Sequence, residues 1–218
     1  MMLKKVDHLL VQDIITSIRE SEISRSNFRD YMIELGRFLS YEFADTLEKN
    51  SISIKTPLGI SEGTIIKDKK NIVVINVLRA AIPLVEGIMK VFTESECGVI
   101  GAWREDVEPF KVNLNYLRIP SLDNKIVIVA DPMLATGNTM NMILDEIKKL
   151  GTPKRLVLLT VISSEEGIKS LFKSHPDIEI YTCALDKEVN KEGYIIPGLG
   201  DAGDKCFGVP IKKNRLKN

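Results

Sequence analysis

A chain of 218 residues in which 30 acids balance 30 bases has no global field to draw it to nucleic acid or a membrane surface. Its length suits one large domain, and three cysteines without paired spacing (Cys97, Cys183, Cys206) point to a reducing cytoplasm rather than a disulfide framework. No apolar run reaches membrane-spanning length, and the N-terminus MMLKKVDHLLVQDII lacks a signal-peptide core.

Residues 1–50 read as helical. Leu9, Leu10, Ile14, Ile15 and Ile18 recur at helical spacing, with His8 in a surface or capping role. Ser26 is placed to cap a second helix, along which Phe28, Tyr31, Met32, Leu35, Leu39 and Phe43 form an apolar stripe. Arg19, Arg25 and Arg29 read as solvated charges. Residues 51–66, SISIKTPLGISEGTII, alternate apolar and polar positions around Pro57 and Gly59, the pattern of a β-hairpin, internal or protruding. From residue 71 to 186 strand and helix alternate: NIVVINVL, IPLVEGIMKVF, CGVIGAW, KIVIVA, RLVLLTVIS, EEGIKSLFKSH and IEIYTCAL. That rhythm predicts an α/β fold, a mostly parallel sheet flanked by helices, with ligands in the crevice at the strands' carboxyl ends.

The central stretch is Lys125 to Met140, KIVIVADPMLATGNTM. Five apolar residues, Ile126 to Ala130, suit a parallel strand buried on both faces. Asp131 follows, then Pro132, Met133, Leu134, Ala135, Thr136, Gly137, Asn138 and Thr139 lead into a helix that Gly151 can end. Unpaired N–H groups at such a helix start, with hydroxyls from Thr136 and Thr139 and a glycine for the tight turn, make a seat for phosphate. The same residues also fit an ordinary capping turn, and no lysine stands where a Walker A loop requires one.

Three further stretches sit at or beyond strand ends. In VLRAAIP, Arg79 directly follows a buried strand, where its guanidinium can either cap the strand or grip two oxygens of a diphosphate, with Ala80 and Ala81 leaving room. WREDVEPFKVNLNYLRIP opens a charged, mobile loop with Arg104, followed by an edge strand; Arg104 either closes over an anion or pairs with Glu105 or Asp106. Trp103 reads as a packing anchor. GYIIPGLGDAGDKCFG, residues 193–208, is rich in glycine, which costs stability unless an unusual backbone is needed. Its main-chain groups can face a small planar ligand, with Asp201 and Asp204 as the charged members and Cys206 a bystander thiol.

Taken together, LRAA, DPMLATG and IPGLGDAGDK in this order resemble the uracil phosphoribosyltransferases, of the type I phosphoribosyltransferase family, over residues 77–208. Ala130 stands where most type I relatives have the first of two acids, a departure found in the uracil branch. The resemblance implies a type I phosphoribosyltransferase fold in a single domain of residues 1–218: N-terminal helices (1–50), a β-arm (51–66) that packs on a neighbouring subunit, the α/β core (71–186) and a base-binding loop (193–208). It implies transfer of the phosphoribosyl group of phosphoribosyl pyrophosphate (PRPP) to uracil, giving UMP and pyrophosphate, with Mg²⁺ brought by PRPP rather than held by a direct protein site. Arg79, Arg104 and Asp201 would carry catalysis. Arg79, Ala80, Arg104, Asp131 to Thr139 and Asp201 would bind PRPP, and Ile195, Gly200, Asp201 and Ala202 would line the uracil pocket. An unusual peptide at Arg79–Ala80, homo-oligomers and a response to GTP or CTP are further expectations of the resemblance, as is a cytoplasmic enzyme with no nucleic-acid or membrane partner. A base other than uracil, or an RNA-sensing regulator on the same fold, stands as the alternative.

Overall fold

A computed structural model describes residues 1–104 and 112–210. Its centre is a sheet in the order β1 (Met2–Lys5), β10 (Glu179–Asp186), β9 (Arg155–Ser164), β7 (Ile126–Ala130), β4 (Ile72–Leu78), β5 (Glu96–Arg104), β6 (Val112–Arg118). A two-residue strand, β8 (Met133–Leu134), also pairs with β9. All pairs are parallel except β5 with β6. The central strands are apolar throughout because both faces are covered; every residue of β7 is buried. Alternate residues of β4 divide between the two cores. Ile72 and Val74 face α1 (Leu9–Arg19), α2 (Arg25–Ala44) and α3 (Ile82–Val91), while Val73, Ile75 and Val77 face α4 (Asn138–Leu150) and α5 (Glu165–Ser174).

Residues 49–66 form a hairpin of β2 (Lys49–Thr56) and β3 (Gly59–Ile66), which among the described residues pair only with each other. Its apolar residues Ile54, Leu58, Ile60 and Ile65 are exposed. A second small ribbon, β11 (Glu188–Val189) with β12 (Ile195–Ile196), leads to a one-turn-and-a-half helix, α6 (Ala202–Phe207), inside the glycine-rich stretch.

Several expectations need correction. The N-terminus does not begin as helix, because Met2–Lys5 adds a parallel strand to the sheet edge through β10. All four residues are exposed, so no alternation marks them. In α1 the buried face is Val11, Ile14, Ile15 and Ile18, whereas Leu9 and Leu10 point to solvent. His8 does cap this helix, its Nδ1 accepting the N–H of Leu10 at 3.2 Å. The cap of α2 is Ser24 rather than Ser26, its hydroxyl accepting the N–H of Asn27 at 3.2 Å. Arg19 and Arg29 are not solvated charges, and both bond to the C-terminal loop. The expected mobile loop falls on 105–111, outside the described residues.

Candidate functional site

Because β4, β5, β7, β9 and β10 run parallel, their carboxyl ends gather on one edge of the sheet. Arg79 follows β4, Arg104 ends β5, Asp131 follows β7, Ser164 ends β9 and Asp186 ends β10. A cleft of about 210 Å³ opens there. One wall is Ala80, Asp131, Met133 to Gly137 and Thr139; the other is Ile195 and Gly200 to Gly203. Two stretches some sixty residues apart in sequence thus face each other across one opening.

The first wall is a helix start. Gly137 caps α4 with φ 82°, a left-handed conformation that a side chain disfavours. Beyond it the N–H groups of Asn138 and Thr139 begin the helix, with the hydroxyl of Thr136 accepting the N–H of Asn138 at 3.4 Å. The loop is held from beneath. Ser164 donates its hydroxyl to the carbonyl of Ala135 at 2.5 Å and accepts the N–H of Gly167 at 2.8 Å. Pro132 takes the N–H groups of Val161 and Ile162 at 3.1 and 3.0 Å, which stitches the loop to β9. Burial pushes the Asp131 carboxyl up to about 6, against the pull of the Met133 N–H at 3.4 Å.

The opposite wall is ordered by its own side chains. Asp201 caps α6, accepting the N–H of Asp204 at 2.9 Å. Arg79 crosses to this loop, its Nη2 3.1 Å from Asp204 Oδ1 and its Nη1 3.3 Å from the carbonyl of Gly208. Arg29 donates to the carbonyl of Cys206 at 2.7 Å, and Lys205 reaches the carbonyl of Glu20 at 2.6 Å. Burial pushes the Cys206 thiol up to about 11, which suits a bystander.

The structure therefore brings Ala80, Asp131, Met133, Leu134, Ala135, Thr136, Gly137, Thr139, Ile195, Gly200, Asp201 and Ala202 around one cleft. Arg79 borders it through the loop. Pro132 is buried behind the wall, and Asn138 is exposed beside it. The side chain of Arg104 lies outside the described residues. The unusual peptide falls one bond earlier than expected: Leu78–Arg79 is cis. Sequence reasoning missed Met140 and Tyr194 in the lining, and Ser164 and Gly167 beneath it. Met140 had a signal, since it is one helical turn beyond Gly137; Ser164 had none.

Parallel strands ending in an Arg turn, an acid with a hydroxyl-rich helix start, and a facing glycine loop define a type I phosphoribosyltransferase fold. A hypoxanthine-guanine phosphoribosyltransferase from Bacillus anthracis shares that fold alone, at 16% identity and a TM-score of 0.50 over 74% of this chain and 82% of that one. A family model described as uracil phosphoribosyltransferase matches residues 5–209. The uracil phosphoribosyltransferase of Methanothermobacter thermautotrophicus is 48% identical over 210 residues, covering 96% of this chain and 97% of that protein. The one from Pyrococcus furiosus is 42% identical over 211 residues, covering 96% and 91%. The solved AQ2163 protein from Aquifex aeolicus superposes with a TM-score of 0.89 at 31% identity, over 96% of this chain and 100% of that one. The chain belongs to the uracil phosphoribosyltransferase family.

Proposed function

We propose that this enzyme transfers the phosphoribosyl group of PRPP to uracil, giving UMP and pyrophosphate, a pyrimidine salvage step. The observation that carries the assignment is the single cleft on which the helix-start loop and the glycine loop converge. One wall suits a phosphate and the other a planar base, so a sugar between them would have its C1 aimed at the base.

Breaking the bond from C1 to diphosphate builds positive charge on the sugar and negative charge on the leaving group. Positioning and fixed charge are therefore the main needs. The N–H groups and hydroxyls of 135–139 would seat the 5-phosphate, and Asp131 would accept the ribose hydroxyls. Arg79, with Arg104 from the end of β5, would hold the diphosphate, and Asp201 would face PRPP from the base loop. Ile195, Gly200, Asp201 and Ala202 would line the uracil site, where main-chain groups matched to O4 and N3–H leave cytosine mismatched. No general base is assigned, since the base N–H is already acidic. Mg²⁺ fits as a substrate-borne ion. The cleft's carboxylates, Asp131 and Asp201, lie on separate elements, and among the described residues no group of three His, Cys, Asp or Glu gathers. Diphosphate and water would supply its remaining ligands.

A homo-oligomer belongs to the same reading, supported by the exposed Ile54, Leu58 and Ile60 of the β2–β3 hairpin. So does a cytoplasmic setting, with Cys97, Cys183 and Cys206 as free thiols. A response to GTP or CTP would appear as a changed KM when either is added to the assay.

The test is a panel of uracil, cytosine, orotate, hypoxanthine and adenine with PRPP and Mg²⁺, nucleotide and pyrophosphate both quantified. UMP from uracil alone is the expected result. Product from another base instead would overturn the reading of the glycine loop.

The pH profile probes Asp131 separately. Only the carboxylate accepts from two hydroxyls, so kcat/KM for PRPP should fall as pH drops through about 6, where this group gains its proton. PRPP phosphate titrates nearby at about 6 as well. Asp131→Asn separates the two: it should lower kcat/KM about 10–100-fold, the worth of a charged hydrogen bond. It should also remove the enzyme's share of the acidic limb. An Asp131→Asn profile identical in height and shape to wild type would take Asp131 out of the PRPP site.

A further inference from the structure

The N-terminal helices hold the glycine loop through one enclosed ion pair. Arg19, the last residue of α1, lays its guanidinium along Asp186 at the end of β10, with Nη1 2.9 Å from Oδ2 and Nη2 2.8 Å from Oδ1. The same Nη1 donates to the carbonyl of Gly198 at 2.8 Å, and Asp186 Oδ2 accepts the N–H of Gly198 at 3.0 Å. Both main-chain polar groups of Gly198 are thus taken by the two members of one pair. The side chains are 23% and 8% exposed.

A pair so enclosed adds little net stability, because desolvating two charges offsets most of their attraction. What it supplies is direction. The guanidinium is a rigid planar fork, and its bonds to Asp186 fix the plane from which it meets Gly198. Gly198 stands between Ile195 and Gly200, both of which line the cleft. Fixing its two polar groups fixes the peptide planes on either side, and with them the path of the main chain between two cleft-lining residues.

Resting on the uracil reading above, we propose that Arg19 and Asp186 are positioning residues for the base. They set the orientation of the 195–202 main chain that reads the uracil edge, and they touch no substrate themselves.

The test uses the full-length protein, with wild type assayed first for UMP formation. Arg19→Lys keeps the charge and loses the fork; Asp186→Asn keeps the shape and loses the charge. Each is assayed with uracil varied at saturating PRPP, then with PRPP varied at saturating uracil, beside its melting midpoint. The expected result is a KM for uracil raised about tenfold, the worth of one charge-assisted hydrogen bond, with KM for PRPP unchanged. Arg19→Ala should recover part of its uracil affinity when guanidinium ion is added at low concentration, which a role in stability alone would not produce. Equal rises in both KM values, or a lowered melting midpoint with both KM values unchanged, would overturn the positioning role. A wild type that makes no UMP overturns the uracil reading and this proposal with it. An active wild type with unshifted variants overturns the positioning role alone.

Discussion

Arg79→Ala is expected to lower kcat/KM for PRPP by about 10²–10³-fold, the usual cost of removing one fixed donor aimed at developing charge. The side chain leaves the end of β4 and is 43% exposed, so a ligand in the cleft can reach it. Its guanidinium is engaged by Asp204 and by the carbonyl of Gly208. A diphosphate offers more negative charge than one carboxylate and accepts two parallel bonds, so it should win the competition. Arg79→Lys should recover only part of the loss, because an ammonium keeps the charge without the fork. Asp204→Asn is the informative companion. It removes the partner's charge and leaves the guanidinium in place, so the PRPP parameters should survive while the glycine loop loosens and KM for uracil rises. Steady-state kinetics on the three variants decides the matter. An Arg79→Ala enzyme as fast as wild type would place the diphosphate elsewhere.

Gly167→Ala should damage stability and PRPP binding together. A Cβ at this position would land on the carbonyl of Ala135 and within 3.0 Å of Leu134 Cγ. The carbonyl is main chain already bonded by Ser164, so it cannot turn away as a flexible side chain would. Either α5 backs away from the sheet or the Ala135–Thr139 loop rises into the cleft. Overpacking of this kind costs about 1–3 kcal/mol. For a domain of this size the melting midpoint should drop by roughly 2–12 °C, at about 2–4 °C per kcal/mol. Misplacing the loop by about 1 Å can also cost on the order of 10²-fold in rate, with KM for PRPP the first parameter to move. Calorimetry and kinetics on the same preparation give both numbers. Unchanged values would mean that the loop yields freely and that α5 does not support it.

The parts that could be read from the sequence are those whose physics is local. Ile126 to Ala130 are apolar without a break because both sheet faces are covered, and that alone marks a central parallel strand. Gly137 and the two threonines announce a helix start with room for an anion. Pairings between distant segments leave no such mark. Arg19 and Asp186 are 167 positions apart, and each taken alone is an ordinary surface charge. Met2–Lys5 is a strand only because β10 offers it an edge, and its exposed side chains carry no pattern. Helix α6 was hidden for a different reason. Its glycine and short length argue for a loop, although Asp201 three residues before Asp204 is a capping spacing that marks the start. Resemblance to a family supplied the expected roles of the cleft residues. It did not supply the supports beneath them, Ser164 and Gly167, which become visible only when the carbonyl of Ala135 is placed.

Strand β1 has one consequence for the protein during its synthesis. Among the described strands its neighbour in the sheet is β10, so residues 2–5 meet their partner only after residues 179–186 have followed them out of the ribosome. The glycine loop emerges later still, and its anchors on α1 and α2 have by then been waiting for most of translation. Closing contacts across nearly the whole chain is slow relative to local folding. A nascent chain can build the β4–β7 half of the sheet and its helices early, yet the cleft lacks its second wall until residues 195–203 have followed.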